Sequence, residues 1–415
     1  MKKFGCIGKK LTHSFSKEIH SRLADYEYEL IELTEDDIEP FFYEKNFNAV
    51  NVTIPYKQAV IPYLDSLSDV AKRIGAVNTI VNKNGKLYGY NTDYYGMKAL
   101  IERIGIGLNG KKILILGTGG TSKTARVLTK DLGAAEILTV SRRKGEEFIT
   151  YEEAVKEHSD ADVIINTTPS GMYPDCDSLP IDISVFGNLK GVIDAVYNPL
   201  CTNLVLNAKA KGIKAEGGLY MLVMQAVVAV EKFLDTEISK AVADSVFNAV
   251  LASKENIVLT GMPGCGKSTV AKLLDIDGFS VVDTDEEVEK RCGCTIKELI
   301  KNKGEKYFRD IETDVIKDIS SKSCQIISTG GGAVLRDENV HCLKRNGKLF
   351  FINADFARLL PTDSRPLSDT ADKLRILYDE RIDIYKSVCD VIVPDMRTPQ
   401  EEAEFILKAR TELIK

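Results

Sequence analysis

Two glycine-rich turns, each set directly after an apolar run and before a helical pattern, restrict this chain more than any other feature. The first is Gly117-Thr118-Gly119-Gly120-Thr121, after the run 113–116. The second is Gly261-Met262-Pro263-Gly264-Cys265-Gly266-Lys267-Ser268, after the run 257–260. A strand that runs into such a turn and on into a helix lets backbone N–H groups converge on an anion with no Cβ in the way. The first spacing reads as a dinucleotide cradle. The second, ending in Lys-Ser, reads as a triphosphate cradle.

Other short β-rich runs, at 4–8, 49–54, 137–141, 163–166 and 192–195, alternate with helical periodicity. That alternation predicts α/β architecture with mostly parallel sheets. At 415 residues there is room for two or three domains. Residues 1–105 form a unit ahead of the first glycine turn, and 106–218 carry the doubly wound nucleotide pattern. Residues 219–234 and 239–252 read as helices, the second able to pack back on the first unit. The short polar segment Ala252-Ser253-Lys254-Glu255-Asn256 is the expected main boundary. A third domain then spans 256–415.

Composition removes several function classes. A formal charge of −6 with no dense basic run argues against a nucleic-acid binder. The longest apolar stretch, 221–230, is too short and interrupted to span a bilayer. The N-terminus lacks the apolar segment of a signal peptide. Nine cysteines without framework spacing predict reduced thiols in a cytoplasm. The close pair Cys292 and Cys294 would need two more ligands for a metal site, with His341 and Cys342 as the nearest candidates. Two ordinary thiols are the expectation.

The strand after the first turn runs into Ser141-Arg142-Arg143-Lys144. An NAD site would place an acid there for the ribose hydroxyl, whereas arginines suit a 2′-phosphate, so NADP is the expected cofactor. Ahead of the turn stand His13-Ser14-Phe15-Ser16, Asn51-Val52-Thr53-Ile54-Pro55-Tyr56-Lys57, Gly75-Ala76-Val77-Asn78-Thr79 and Gly89-Tyr90-Asn91-Thr92-Asp93. After it come Asn166-Thr167-Thr168-Pro169-Ser170-Gly171-Met172, Asp194-Ala195-Val196-Tyr197-Asn198-Pro199 and Gly218-Leu219-Tyr220-Met221-Leu222-Val223-Met224-Gln225. This ordered set, over about residues 3–251, resembles the shikimate dehydrogenase family. The resemblance implies an α/β substrate domain at 1–105, completed by helices from about 219–252, and a Rossmann-like NADP domain at 106–218.

It also implies roles. Ser14 and Ser16 would hold the substrate carboxylate, and Thr53, Asn78 and Gln225 the ring hydroxyls. Lys57 and Asp93 would flank the carbon that changes oxidation state. A ketone that accepts hydride develops negative charge on oxygen, which a nearby ammonium stabilises and can protonate. A carboxylate keeps that ammonium charged and oriented. Either of the two can carry the proton, and Tyr197 either hydrogen-bonds substrate or packs. Gly117 to Thr121, Ser141, Arg142 and Arg143 would bind NADP, with the Ala195 and Gly218 backbone facing the nicotinamide.

The second turn is followed by Val281-Val282-Asp283-Thr284-Asp285 at a strand end. Gly304-Glu305-Lys306-Tyr307-Phe308-Arg309-Asp310-Ile311-Glu312 follows on a helix, and Ser328-Thr329-Gly330-Gly331-Gly332 ends a third strand. Arg365-Pro366-Leu367 and the stretch from Arg381 to Tyr385 come later. This order resembles shikimate kinase over about residues 256–413. Gly264, Cys265, Gly266, Lys267, Ser268 and Thr269 would bind ATP, with Lys267 on the outer phosphates and Ser268 on Mg²⁺. Asp283 would sit near the metal. Arg309 and Arg381 would clamp the acceptor carboxylate, as guanidinium forks do. Asp285 would bind ring hydroxyls and help deprotonate the attacking one, Gly331 would approach the acceptor, and a lid residue, Arg365, would neutralise the transferring phosphoryl group. The segment between Asp355 and Arg365 is shorter and less basic than the family's lid, and Arg358 either replaces the arginine that stacks on adenine or does not.

The two resemblances together imply that the product of one half would be the acceptor of the other: NADPH would reduce 3-dehydroshikimate to shikimate, and ATP would phosphorylate its 3-hydroxyl. A quinate and NAD specificity in the first half, an adenylate or gluconate kinase in the second, and a non-catalytic metabolite sensor are the alternatives. A sensor should have lost Lys57, Asp93, Lys267 or Asp285, and all four are present.

Overall fold

The computed structural model describes residues 3–11, 15–359 and 370–414. The chain divides into two compact units, Met1–Val250 and Leu251–Lys415. The division falls inside the helix Lys240–Lys254, which takes up the first three residues of the polar segment read from the sequence as a boundary.

The first unit holds two six-stranded sheets. One comprises β1 (Phe4–Gly8), β2 (Tyr28–Glu32), β3 (Ala49–Val52), β4 (Ser66–Leu67), β5 (Thr79–Lys83) and β6 (Lys86–Tyr90), in the order β2-β1-β3-β5-β6-β4. It is mixed rather than parallel: β5 is antiparallel to both β3 and β6. Asn84 and Gly85, with φ of 55° and 83°, close a two-residue hairpin that only left-handed residues make easily. The run 49–54 stops at Val52 as a strand, since Pro55 has no N–H to give a ladder.

The second sheet comprises β7 (Lys112–Leu116), β8 (Glu136–Ser141), β9 (Phe148–Thr150), β10 (Val163–Asn166), β11 (Gly191–Asp194) and β12 (Lys214–Glu216). Its order is β12-β11-β10-β7-β8-β9, and every pairing is parallel. β10 and β11 are buried along their whole length, as strands covered by helices on both faces must be. Strand order reverses between β7 and β10, and the first glycine turn lies at the carboxyl end of β7, where such sheets open a crevice.

The second unit is built on β13 (Asn256–Thr260), β14 (Ser280–Asp283), β15 (Gln325–Ser328), β16 (Gly347–Ile352) and β17 (Val391–Val393), in the order β14-β15-β13-β16-β17, all parallel. The second glycine turn follows β13, the central strand. Asp285 is helical rather than at a strand end. Asp283 caps the helix Thr284–Cys292 by accepting from the N–H groups of Asp285 and Glu286, so the strand ends there.

Candidate active sites

In the first unit the residues spread over the sequence at 53, 57, 78, 93 and 225 are positioned by β3, β5 and two helices. Lys57 donates from Nζ to Asp93 Oδ2 at 2.5 Å, and both side chains are largely covered. Asp93 opens the helix Asp93–Ile104, whose N-terminal N–H groups favour a carboxylate. Asn78 is the hub. Its Nδ2 lies 2.9 Å from Asp93 Oδ1, 3.0 Å from Thr92 Oγ1 and 3.4 Å from Gln225 Oε1, while its Oδ1 accepts from the Thr92 N–H at 2.6 Å. Gln225 reaches this cluster because Gly96 lets the helix Leu219–Leu234 press its backbone against the helix Asp93–Ile104. A Cβ on Gly96 would run into the Met221 carbonyl and the Gln225 backbone.

Below this hub a second tier of buried polar groups locks the strands. Asn51 accepts from Tyr28 Oη at 2.7 Å and donates to Thr79 Oγ1 at 3.1 Å. Thr53 stands at the end of β3, half-buried. Tyr197 is half-buried with its ring 5.2 Å from Phe15, and burial pushes its hydroxyl pKa up. Ser16 opens the helix Ser16–Leu23. Ser14 lies outside the described residues.

The dinucleotide turn faces this cluster. Gly117 has φ of +104°, and Gly120 begins the helix Gly120–Asp131. A Cβ on Gly120 would lie 3.5 Å from Lys57 Cδ, so the turn and the Lys57–Asp93 pair share one crevice. Thr118, Gly119, Arg142 and Arg143 are exposed, and Thr121 and Ser141 partly so. An exposed glycine turn beside two unburied guanidinium groups is a donor set that fits a phosphorylated dinucleotide. On the other side, Gly218 sits against the Ala195 backbone, where a Cβ would collide with its carbonyl. Asp194 fastens that wall: it accepts from Asn166 Nδ2 (2.9 Å), Val196 N–H (3.0 Å) and Thr202 Oγ1 (2.6 Å). Burial raises its carboxyl to about 6 against those three bonds.

In the second unit Gly261, Gly264 and Gly266 have φ of 148°, 83° and 95°, which wrap the turn around a central hollow. Lys267 Nζ donates to the carbonyls of Gly261 and Met262, each at 2.9 Å. Ser268 Oγ donates to Asp283 Oδ2 at 2.7 Å and lies 3.2 Å from Ser328 Oγ. Hydroxyl and carboxylate oxygen beside a phosphate cradle fit Mg²⁺, which takes few protein ligands and completes its shell with water and phosphate. Among the described residues no group of three or more His, Cys, Asp or Glu side chains is gathered as for a metal ion. Cys265 is buried with Sγ 3.8 Å from Lys267 Nζ.

The triglycine turn after β15 gathers the rest. A Cβ on Gly330 would meet Asp285 and Glu312, one on Gly331 the Pro263 ring, and one on Gly332 the Arg309 guanidinium. Asp285, Arg309 and the phosphate turn therefore converge on three residues whose lack of a side chain leaves room for them. Arg309 donates to Glu312 at 2.7 Å, and Arg381 donates to the Gly331 carbonyl at 3.3 Å. Glu312 is fully buried with Oε1 unpartnered among the described residues. Burial pushes its carboxyl above the usual range, and Arg309 only partly offsets that. Thr269 follows Ser268 in the helix Lys267–Leu273. Arg358 is taken up by Asp395 and the Met396 carbonyl. Arg365 lies outside the described residues.

Sequence reasoning passed over Thr92, Asn51, Asp194, Ser328 and Tyr385 as individual functional residues, and gave Glu312 no role. The repeated Asn-Thr pair at 78–79 and 91–92 was the available signal for Thr92.

Known proteins give the same outline. The family model for the shikimate dehydrogenase substrate binding domain matches residues 6–80, and that for shikimate kinase matches residues 263–411. A shikimate dehydrogenase (NADP(+)) of Clostridium perfringens (strain SM101 / Type A) is 38% identical over 271 residues, covering 60% of this chain and 97% of that protein. The crystal structure of shikimate dehydrogenase 1 from Peptoclostridium difficile superposes with a TM-score of 0.56 at 38% identity, covering 60% of this chain and 98% of that one. That of the Thermus thermophilus enzyme in complex with NADP(H) and shikimate gives 0.53 at 27% identity, covering 60% and 99%.

Proposed function

We propose a division of labour among the residues of this chain, which belongs to the shikimate dehydrogenase family and carries a shikimate kinase domain in its C-terminal part. It is a bifunctional enzyme of the shikimate pathway: NADPH-dependent reduction of 3-dehydroshikimate to shikimate, then ATP-dependent phosphorylation to shikimate 3-phosphate. Residues 1–105 with the helices from about 219–252 form the substrate domain, 106–218 the NADP domain and 256–415 the kinase.

In the first pocket Ser14 and Ser16 hold the carboxylate, and Thr53, Asn78 and Gln225 the ring hydroxyls. Bound NADPH, held by residues 117–121, Ser141, Arg142 and Arg143, supplies the hydride. Lys57 stabilises the oxygen that gains charge and delivers a proton to it; Asp93 holds the ammonium in place. The single observation that carries this reading is the 2.5 Å Lys57–Asp93 pair set against Gly120 of the dinucleotide turn.

In the second pocket Arg309, Arg381 and the Gly331 backbone hold the acceptor carboxylate, and Asp285 orients the attacking hydroxyl. Lys267 and the turn's N–H groups hold the phosphates, and Arg365 offsets charge on the moving group. Ser268 and Asp283 are the residues to hold Mg²⁺, which when bound neutralises phosphate charge. Among the described residues no helix is long and apolar enough to cross a membrane; from nine cysteines without framework spacing, we place the enzyme in the cytoplasm. The test is a one-pot assay with 3-dehydroshikimate, NADPH and Mg-ATP, followed by detection of shikimate 3-phosphate. NADPH oxidation with the ketone of quinate but not with 3-dehydroshikimate, or ATP turnover indifferent to shikimate, contradicts the reading.

A further inference from the structure

We infer that the Tyr385 hydroxyl is a positioning group of the kinase pocket: it fixes the Gly331–Gly332 peptide so that two backbone N–H groups face the acceptor carboxylate. The inference rests on the assignment of this pocket to shikimate.

Tyr385 is fully buried in the helix Ala371–Val388. Its ring stacks on Phe351 of β16 with centroids 5.1 Å apart and planes 10° from parallel, which fixes where the hydroxyl points. That hydroxyl donates to the carbonyl of Gly331, which also accepts from Arg381 Nη1 at 3.3 Å. A trans peptide is planar, so its C=O and N–H point in opposite directions. Drawing the Gly331 carbonyl toward Tyr385 therefore aims the Gly332 N–H the other way. The preceding peptide is held in the same manner, because the Gly330 carbonyl accepts from the Ala333 N–H at 3.1 Å. Among the described residues, neither the Gly331 nor the Gly332 N–H has a protein acceptor.

Successive free N–H groups in such a turn make a small anion-binding concavity. Here it lies beside charge, because the Arg309 guanidinium rests on Gly332. Glycine leaves this peptide free to rotate, since no side chain holds it. A fixed hydroxyl on its oxygen is what removes that freedom. Phenylalanine at 385 would keep the stack on Phe351 and remove only this bond.

The test is Tyr385→Phe in the full chain, with shikimate and its carboxamide analogue as acceptors. Wild-type turnover of shikimate checks the pocket's assignment by itself, whatever the variant does. Loss of one such hydrogen bond should raise the KM for shikimate about 2- to 13-fold. The expected pattern has kcat, the KM for ATP, the melting temperature and the reductase rate nearly unchanged. With the carboxamide, which presents no anion to the N–H pair, the variant should differ little from wild type. An unchanged KM for shikimate overturns the inference. So does an equal penalty with both acceptors, or a parallel loss of ATP affinity or of thermal stability, each of which marks the hydroxyl as merely structural.

Discussion

Asn78→Ala removes the residue on which the reductase pocket converges. The side chain is 3% exposed, and its truncation leaves the Thr92 N–H and one Asp93 oxygen without their partners. Each buried polar group so abandoned costs about 1–3 kcal/mol, or about 2–6 kcal/mol for both. The new cavity has polar walls, with Thr92, Gln225 and Asp93 around it, so a water can enter and hold the loss near the lower end. Catalysis should suffer separately. Asp93 keeps Lys57 but loses the bond that sets its rotation, and a hydrogen bond to a charged group is worth about 1.5–3 kcal/mol. Converted to rate, that is roughly 10- to 150-fold in kcat/KM for 3-dehydroshikimate. The assay is initial-rate NADPH oxidation, with urea unfolding of the same preparation and shikimate phosphorylation as the internal control. We expect the reductase loss with the KM for NADPH and the kinase rate nearly unaltered. A variant whose kcat/KM stays within about threefold of wild type, below any single charged hydrogen bond, would refute the hub.

Two further outcomes follow from the same packing. Gly332 has φ of −107°, a value any residue adopts, so Gly332→Ala costs no backbone strain; its methyl group falls on the Arg309 guanidinium instead. The KM for shikimate should rise about tenfold or more, as for a displaced charged partner, with the KM for ATP unmoved; an unaltered acceptor KM contradicts Arg309 as a clamp. His20 is fully buried, stacked on Tyr28 at 3.8 Å, with Nε2 unpartnered among the described residues. Burial holds its imidazole at about 3 against an ordinary 6.5, so its contribution is complete above pH 6.5 and fades as pH falls toward 3. At pH 4.5 the loss is about 3 kcal/mol, two pH units at 1.36 kcal/mol each. Denaturant titrations at pH 7 and 4.5 should show a smaller acid-induced drop in His20→Phe than in wild type; equal drops contradict it.

The glycine turns, their strands and the charged residues after them were legible because each is a local pattern with a backbone reason. Asp285 was found as a residue but misplaced on a strand, since the capping of a helix by Asp283 is visible only once the Asp285 and Glu286 N–H groups are seen to turn toward it. The antiparallel pairs of the first sheet were not singled out although Asn84-Gly85 announced a hairpin, because alternation of strands and helices predicts mostly parallel sheets and does not say which pairs depart from it. Tyr385 and Glu312 were not legible as individual residues. Their partners are a carbonyl and a guanidinium gathered by the triglycine turn, and a buried tyrosine looks in sequence like any core aromatic. Gln225 meets Asn78 across 147 positions, and it was found through resemblance rather than through any local signal.

The most direct measurement mixes two crippled versions of the full chain. Lys57→Ala should retain phosphorylation of shikimate and lose reduction by about 10²- to 10⁴-fold, the range for a general acid. Lys267→Ala should do the reverse. Supplied with 3-dehydroshikimate, NADPH and Mg-ATP, the first alone should stall at the start and the second at shikimate. Equal amounts of both should carry the material through to shikimate 3-phosphate. A mixture that fails to make it, or a Lys57→Ala protein that makes it unaided, would contradict two independent pockets acting in turn on one ring.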